Sequence, residues 1–129
     1  MVQRAKEESE RAGEEKGEKE NMMKFKERDA TNGVTLIFNK NLDAVPLADI
    51  ERKALKAGAL NMGYHFVLRS SGLLERGISE SYYGSPEFTG YKDTLFILCT
   101  SDMLTDAQSK TLNDLLTAKK LKVIHEYQV

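Results

Sequence analysis

The heptapeptide TLFILCT, Thr94 to Thr100, constrains the fold most strongly. Leu95, Phe96, Ile97, Leu98 and Cys99 follow one another without a polar interruption. In a strand, successive side chains point to opposite faces, so such a run must be covered on both. It is short for a helix and suits a central strand. Coverage on both faces fits the α/β class that the order of strands and helices along the chain indicates.

The remaining pattern agrees with a mixed central sheet flanked by helices. Val34 to Phe38 is a second β-rich apolar run. Pro46 suits the first turn of a helix, and Leu47, Ile50, Ala54 and Leu55 supply its stripe up to a stop at Gly58. Tyr64 to Leu68 reads as a strand, Ser70-Ser71-Gly72 as a turn, and Leu73 to Ile78 as the returning hairpin arm. Residues 79–93, with Gly84, Pro86 and Gly90, form a long loop of the kind that carries binding groups. Thr105 opens a second helix through the capping box Thr105-x-x-Gln108, with Ala107, Leu112, Leu115 and Leu116 as its apolar stripe. Leu121 to Tyr127 closes the chain as a strand.

Residues 1–22 form a charged arm, and 23–129 the domain. The arm is dominated by Glu, Lys and Arg and buries too little apolar area to fold alone. It is expected to be disordered, or ordered as a helix on a partner. A net charge of −1 argues against direct nucleic-acid or membrane-surface binding. No apolar run approaches the roughly 20 residues of a membrane helix, and no signal-like segment opens the chain. With Cys99 as the single cysteine, a cytoplasmic location is expected.

Candidates for chemistry are few. The histidines are His65 and His125, and no Cys-x-x-Cys or His-Glu-x-x-His spacing occurs. Cys99, inside the most apolar strand, reads as a core residue. In a regular strand Tyr64, Phe66 and Leu68 share one face while His65 and Val67 share the other. His65 is therefore expected to be structural. His125, near a strand end, has no Gly-x-Ser-x-Gly elbow to accompany it.

Three stretches resemble the type 2 N-acetylmuramoyl-L-alanine amidases and the peptidoglycan recognition proteins. They are Phe25 to Thr31, Gly63 to Arg69 followed by Gly72, and Thr105 to Gln108 followed by Leu112, Leu115 and Leu116. Gly84-Ser85 and Gly90-Tyr91 add a weaker match. The small lysozyme-amidases of T-odd coliphages are the most similar group, over residues 24 to about 126. The resemblance implies a mixed sheet with flanking helices. It also implies a zinc held by two histidines and a cysteine or aspartate, assisted by a tyrosine and, in phage members, a lysine.

This chain departs from that pattern. Asn39 stands where the first histidine ligand ends the first strand, and a carboxamide is a poor zinc ligand. His125 is the candidate for the second, while the segment of the third ligand and the lysine would follow Val129. Pro86 replaces a loop histidine, and Tyr64 alone keeps a catalytic position. The resemblance with these changes implies a pseudo-amidase: no catalysis, no zinc or other cofactor, and Tyr64, Asn39 and His125 as vestiges. Its expected role is protein binding, as an inhibitor of a phage-type RNA polymerase or of a host or defence protein. The alternative is a peptidoglycan binder using Asn39, Tyr64, Tyr82, Tyr83 and Tyr91, or a residual amidase.

Overall fold

Thr94–Cys99 is strand β4, and its side chains from Leu95 to Cys99 are at most 1% exposed. The structure, a computed structural model, describes residues 30–129. The expected arm and the Phe25 to Asp29 part of the resemblance lie outside the described residues. The elements in chain order are β1 (Gly33–Phe38), helix α1 (Leu47–Lys56), β2 (Phe66–Leu68), β3 (Leu74–Arg76), β4, helix α2 (Asp106–Lys119) and β5 (Val123–Gln128). They form one sheet in the order β3-β2-β4-β1-β5. β2 and β3 pair antiparallel, and every other pair is parallel. This is the expected α/β class with a mixed sheet.

Each sheet face has its own core. Leu36, Phe66, Leu68, Ile97 and Cys99 pack beneath α2 through Leu112. Ile37, Val67, Phe96 and Leu98 pack beneath α1 through Ile50, joined by Tyr64, Tyr82, Phe88, Tyr91 and Tyr127. Tyr64 therefore lies on the Val67 face, not on the expected face of Phe66 and Leu68. Regular pairing begins only at Phe66, and Gly63 at φ +81° turns the chain just before it.

Three further details differ from the sequence pattern. Pro46 is the N-cap of α1, with its carbonyl accepting from Ile50 N–H, so it precedes the first turn. Leu55 is 43% exposed, at the margin of the α1 stripe, and Ala107 is exposed on the first turn of α2. In β5 the register jumps from Val34↔Val123 to Thr35↔His125, leaving Ile124 as a bulge. The bulge sends Val123 to the α2 face but His125 and Tyr127 to the α1 face.

The capping box forms as expected: Gln108 N–H donates to Thr105 Oγ1 at 3.0 Å, and Thr105 N–H donates to Gln108 Oε1 at 2.9 Å. Gln108 has no exposed surface; its Oε1 also accepts from Ser101 Oγ, and its Nε2 donates to Leu68 O. Both helices end with paired backbone bonds, Ala59 N–H to Ala54 O and Gly58 N–H to Leu55 O in α1, Leu121 N–H to Leu116 O and Lys120 N–H to Thr117 O in α2. In α2 the left-handed position is Lys120, at φ 57°, where a β-carbon is unfavourable. Lys120→Gly is expected to stabilise the domain by about 0.5–1 kcal/mol, read from the urea midpoint. A lower midpoint would show that the lysine side chain contributes more than its backbone costs.

Candidate functional site

The carboxyl ends of parallel strands are where open α/β sheets place ligands. At the carboxyl end of β1, Asn39 begins a short 3-10 turn, Lys40–Leu42, by accepting the Asn41 N–H on Oδ1 at 3.1 Å. From there a cleft of about 670 Å³ opens over the α1 face. One wall is α1, through Ile50, Lys53, Ala54 and Ala57. Its continuation, residues 58–64, forms the base, and the opposite wall is loop 83–87 with Tyr91.

Aromatic side chains dominate the loop side. Tyr83 and Tyr91 meet edge to face, centroids 5.7 Å apart at 87°, and the Lys92 ammonium lies 5.7 Å from the Tyr91 centroid. Tyr64 is half-buried, and its hydroxyl has no hydrogen-bond partner among the described residues. Burial, and then the Glu87 carboxylate, push the Tyr64 phenol above its ordinary 10.0. It stays protonated at neutral pH, with an O–H available to donate. Gly84 lets the wall lie directly on the core: a β-carbon there would stand 2.7 Å from the Phe96 ring.

Of the residues expected at the site, Asn39, Tyr64, Tyr83 and Tyr91 line the cleft. Tyr82 does not; its ring packs into the core of the α1 face, because neighbours in an extended loop point opposite ways. His125 does not line it either. Its ring stacks on Tyr127 at 6.2 Å, and a β-carbon on Gly90 would come within 2.9 Å of its Cδ2. Register explains this: His125 pairs with Thr35, whereas Val129 N–H reaches Phe38 O beside Asn39. Four strand positions, roughly 13 Å, separate the two candidates. Lys53, Ala57, Asn61 and Glu87 are cleft residues absent from the expected set. The spacing of Ile50, Lys53, Ala54 and Ala57 puts them on one helix face, but only the packing of α1 on the sheet makes that face a wall.

The loop is anchored below the cleft by ionic contacts. Glu80 accepts from Lys119 Nζ at 2.6 Å and from Arg76 at 3.1 Å, and both cations lie over the Phe66 ring. Burial pushes the Glu80 carboxyl up, but the bonds and charges of Lys119 and Arg76 outweigh it and hold it below its ordinary 4.5. A depressed carboxyl contributes stability above its unfolded value and loses it as pH falls through the folded one. Glu80→Gln is therefore expected to flatten the loss of thermal stability below pH 4.5. An unchanged acid limb would assign that loss to other carboxylates.

No protein-family model and no curated protein sequence matches the chain. The fold is nevertheless that of the amidases and peptidoglycan recognition proteins (PGRPs). The chain is similar to the N-acetylmuramoyl-L-alanine amidase LysC of Clostridium intestinale URNW, with a TM-score of 0.57 and 19% identity over 76% of this chain and 70% of that one. Drosophila PGRP-LB aligns with a TM-score of 0.60 and 14% identity over 81% of this chain and 72% of its own. The Ph2119 endolysin of a Thermus scotoductus bacteriophage aligns with a TM-score of 0.58 and 14% identity, over 81% and 75% respectively.

The described residues do not fit the zinc that the resemblance implies. Asn39 offers a carboxamide already engaged with the backbone, and His125 lies too far away to share an ion with it. Cys99 is buried on the α2 face, where burial, and then Glu126, push its thiol to about 12. Among the described residues no three His, Cys, Asp or Glu side chains converge.

Proposed function

We propose that this chain binds peptidoglycan or its soluble fragments in the cleft and does not hydrolyse them through zinc. The observation that carries this is the cleft itself: about 670 Å³ beside Asn39, lined by Tyr64, Tyr83 and Tyr91. Concave sites with aromatic walls and a few converging polar groups suit small ligands. The fold shared with an amidase, an endolysin and PGRPs supports peptidoglycan as the ligand class. Asn39 in place of a metal-binding histidine, and the distance to His125, support binding without hydrolysis. The role as inhibitor of a polymerase or host protein rests on the resemblance alone and ranks below this one.

The test is co-sedimentation of the full chain with purified cell wall, beside calorimetry with a muramyl pentapeptide. A cytoplasmic protein would meet the soluble fragments. Amide cleavage is followed in parallel with added zinc. Retention or saturable binding without cleavage is expected. Absence of both would overturn the binding function, and zinc-dependent cleavage would restore the amidase.

A further inference from the structure

His65 is fully buried, and both of its ring nitrogens are occupied. Nδ1 accepts the Phe96 N–H at 2.8 Å, and Nε2 lies 2.7 Å from the Tyr82 carbonyl oxygen. A carbonyl only accepts, so Nε2 carries the proton and Nδ1 is the bare nitrogen of a neutral ring. One end of the ring is tied to the central strand. The other is tied to the loop residue immediately before Tyr83, which begins the loop wall of the cleft.

The Tyr82 ring, packed in the α1-face core, and the Tyr82 N–H, donating to Ser79 O at 3.1 Å, hold the same end. Residues 79–93 contain no helix and a single bridge residue, Tyr82. The bond from Gly84 N–H to Tyr91 O, 2.7 Å, joins the loop to itself. Thr94 Oγ1, donating to Gly90 O at 2.7 Å, secures the far end. Glu80 secures the start on the α2 side.

We infer that His65 is a positioning residue for the cleft: through the Tyr82 carbonyl its ring sets where the wall bearing Tyr83 and Gly84 stands. The consequence for affinity rests on the cleft being the binding site; the consequence for the loop does not.

Asparagine separates the two ends of the ring. Its carboxamide oxygen falls near the Nδ1 position and can still accept from Phe96, but the side chain stops short of Nε2. His65→Asn is expected to melt a few degrees lower while backbone amides of residues 82–91 exchange about tenfold faster, the effect of one lost neutral hydrogen bond. Affinity for a muramyl pentapeptide is expected to fall by a similar factor. His65→Ala, which loses both ends, is expected to melt lower as well. A histidine serving the core alone would lower melting without speeding the local opening of the loop. Unchanged loop exchange in His65→Asn overturns the inference. Wild-type protein that fails to bind the pentapeptide overturns the binding function, while the exchange data still decide His65.

A measurement on the unmodified full chain holds whether or not the variants fold. Imidazole nitrogen-15 NMR is expected to show a protonated, slowly exchanging Nε2 and a bare Nδ1. A proton on Nδ1, or an Nε2–H exchanging freely with water, also overturns it.

Discussion

Phe96→Ala is expected to lower unfolding free energy by about 3–5 kcal/mol. Phe96 has no exposed surface and sits at the centre of the α1-face core, with Ile37, Val67 and Leu98 on the sheet beside it. Three neighbours lean directly on the ring. Gly84 is in close contact, the Phe88 ring lies 6.1 Å away at 61°, and the His65 ring lies 6.4 Å away at 76°. The loop cannot easily follow the missing ring inward, because Tyr82 O is tied to the His65 ring and Gly90 O to Thr94 Oγ1. A residual cavity is therefore expected, and it adds to the lost transfer free energy. Since small domains have about 5–15 kcal/mol in all, the variant should be close to unfolding at physiological temperature. Urea denaturation would show a much lower midpoint with an unchanged slope. A loss below about 1 kcal/mol would mean that the cleft wall collapses into the space.

Much of this arrangement is visible in the residues alone, and the exceptions have physical causes. TLFILCT announces a doubly covered strand because apolar side chains without alternation have only one stable setting. Thr105 and Gln108 announce a helix start because their capping bonds are local. Tyr64 illustrates the limit: alternation assigns faces only inside a regular strand, and the pleat starts two residues later, at Phe66. His125 illustrates another. The resemblance implies a place beside Asn39, but the bulge at Ile124 and the pairing with Thr35 are set between strands. The same holds for the cleft. Tyr83 and Tyr91 stand out because they lie in a long loop, whereas Lys53 and Ala57 become wall residues only once α1 is packed on the sheet. His65 is structural, as its strand position implies, but its hold on Tyr82 depends on a loop 17 residues away.

Tyr64→Ala is expected to weaken binding to a muramyl pentapeptide at least about thirtyfold, the range of an aromatic anchor in a desolvated site. Tyr64 packs against the α1-face core on one side and lines the cleft on the other, so its ring is placed before any ligand arrives. A rigid ring costs little ordering entropy on binding. Its hydroxyl has no competing partner among the described residues and is free to donate to a ligand carbonyl or carboxylate. Tyr64→Phe keeps the ring and loses the donor, with an expected loss of about tenfold. The two variants thus divide the ring's contribution from that of the hydroxyl. Alkaline pH offers a third check. Burial and Glu87 disfavour the phenolate, so the folded value lies above 10.0, and the donor persists where an ordinary tyrosine would have ionised. Binding through this hydroxyl should therefore decline at higher pH than binding through an ordinary tyrosine would. Melting temperatures must be compared alongside, since truncating Tyr64 also removes packing from the core. Tyr64→Ala protein that melts normally and binds as tightly as wild type would place the ligand outside this cleft.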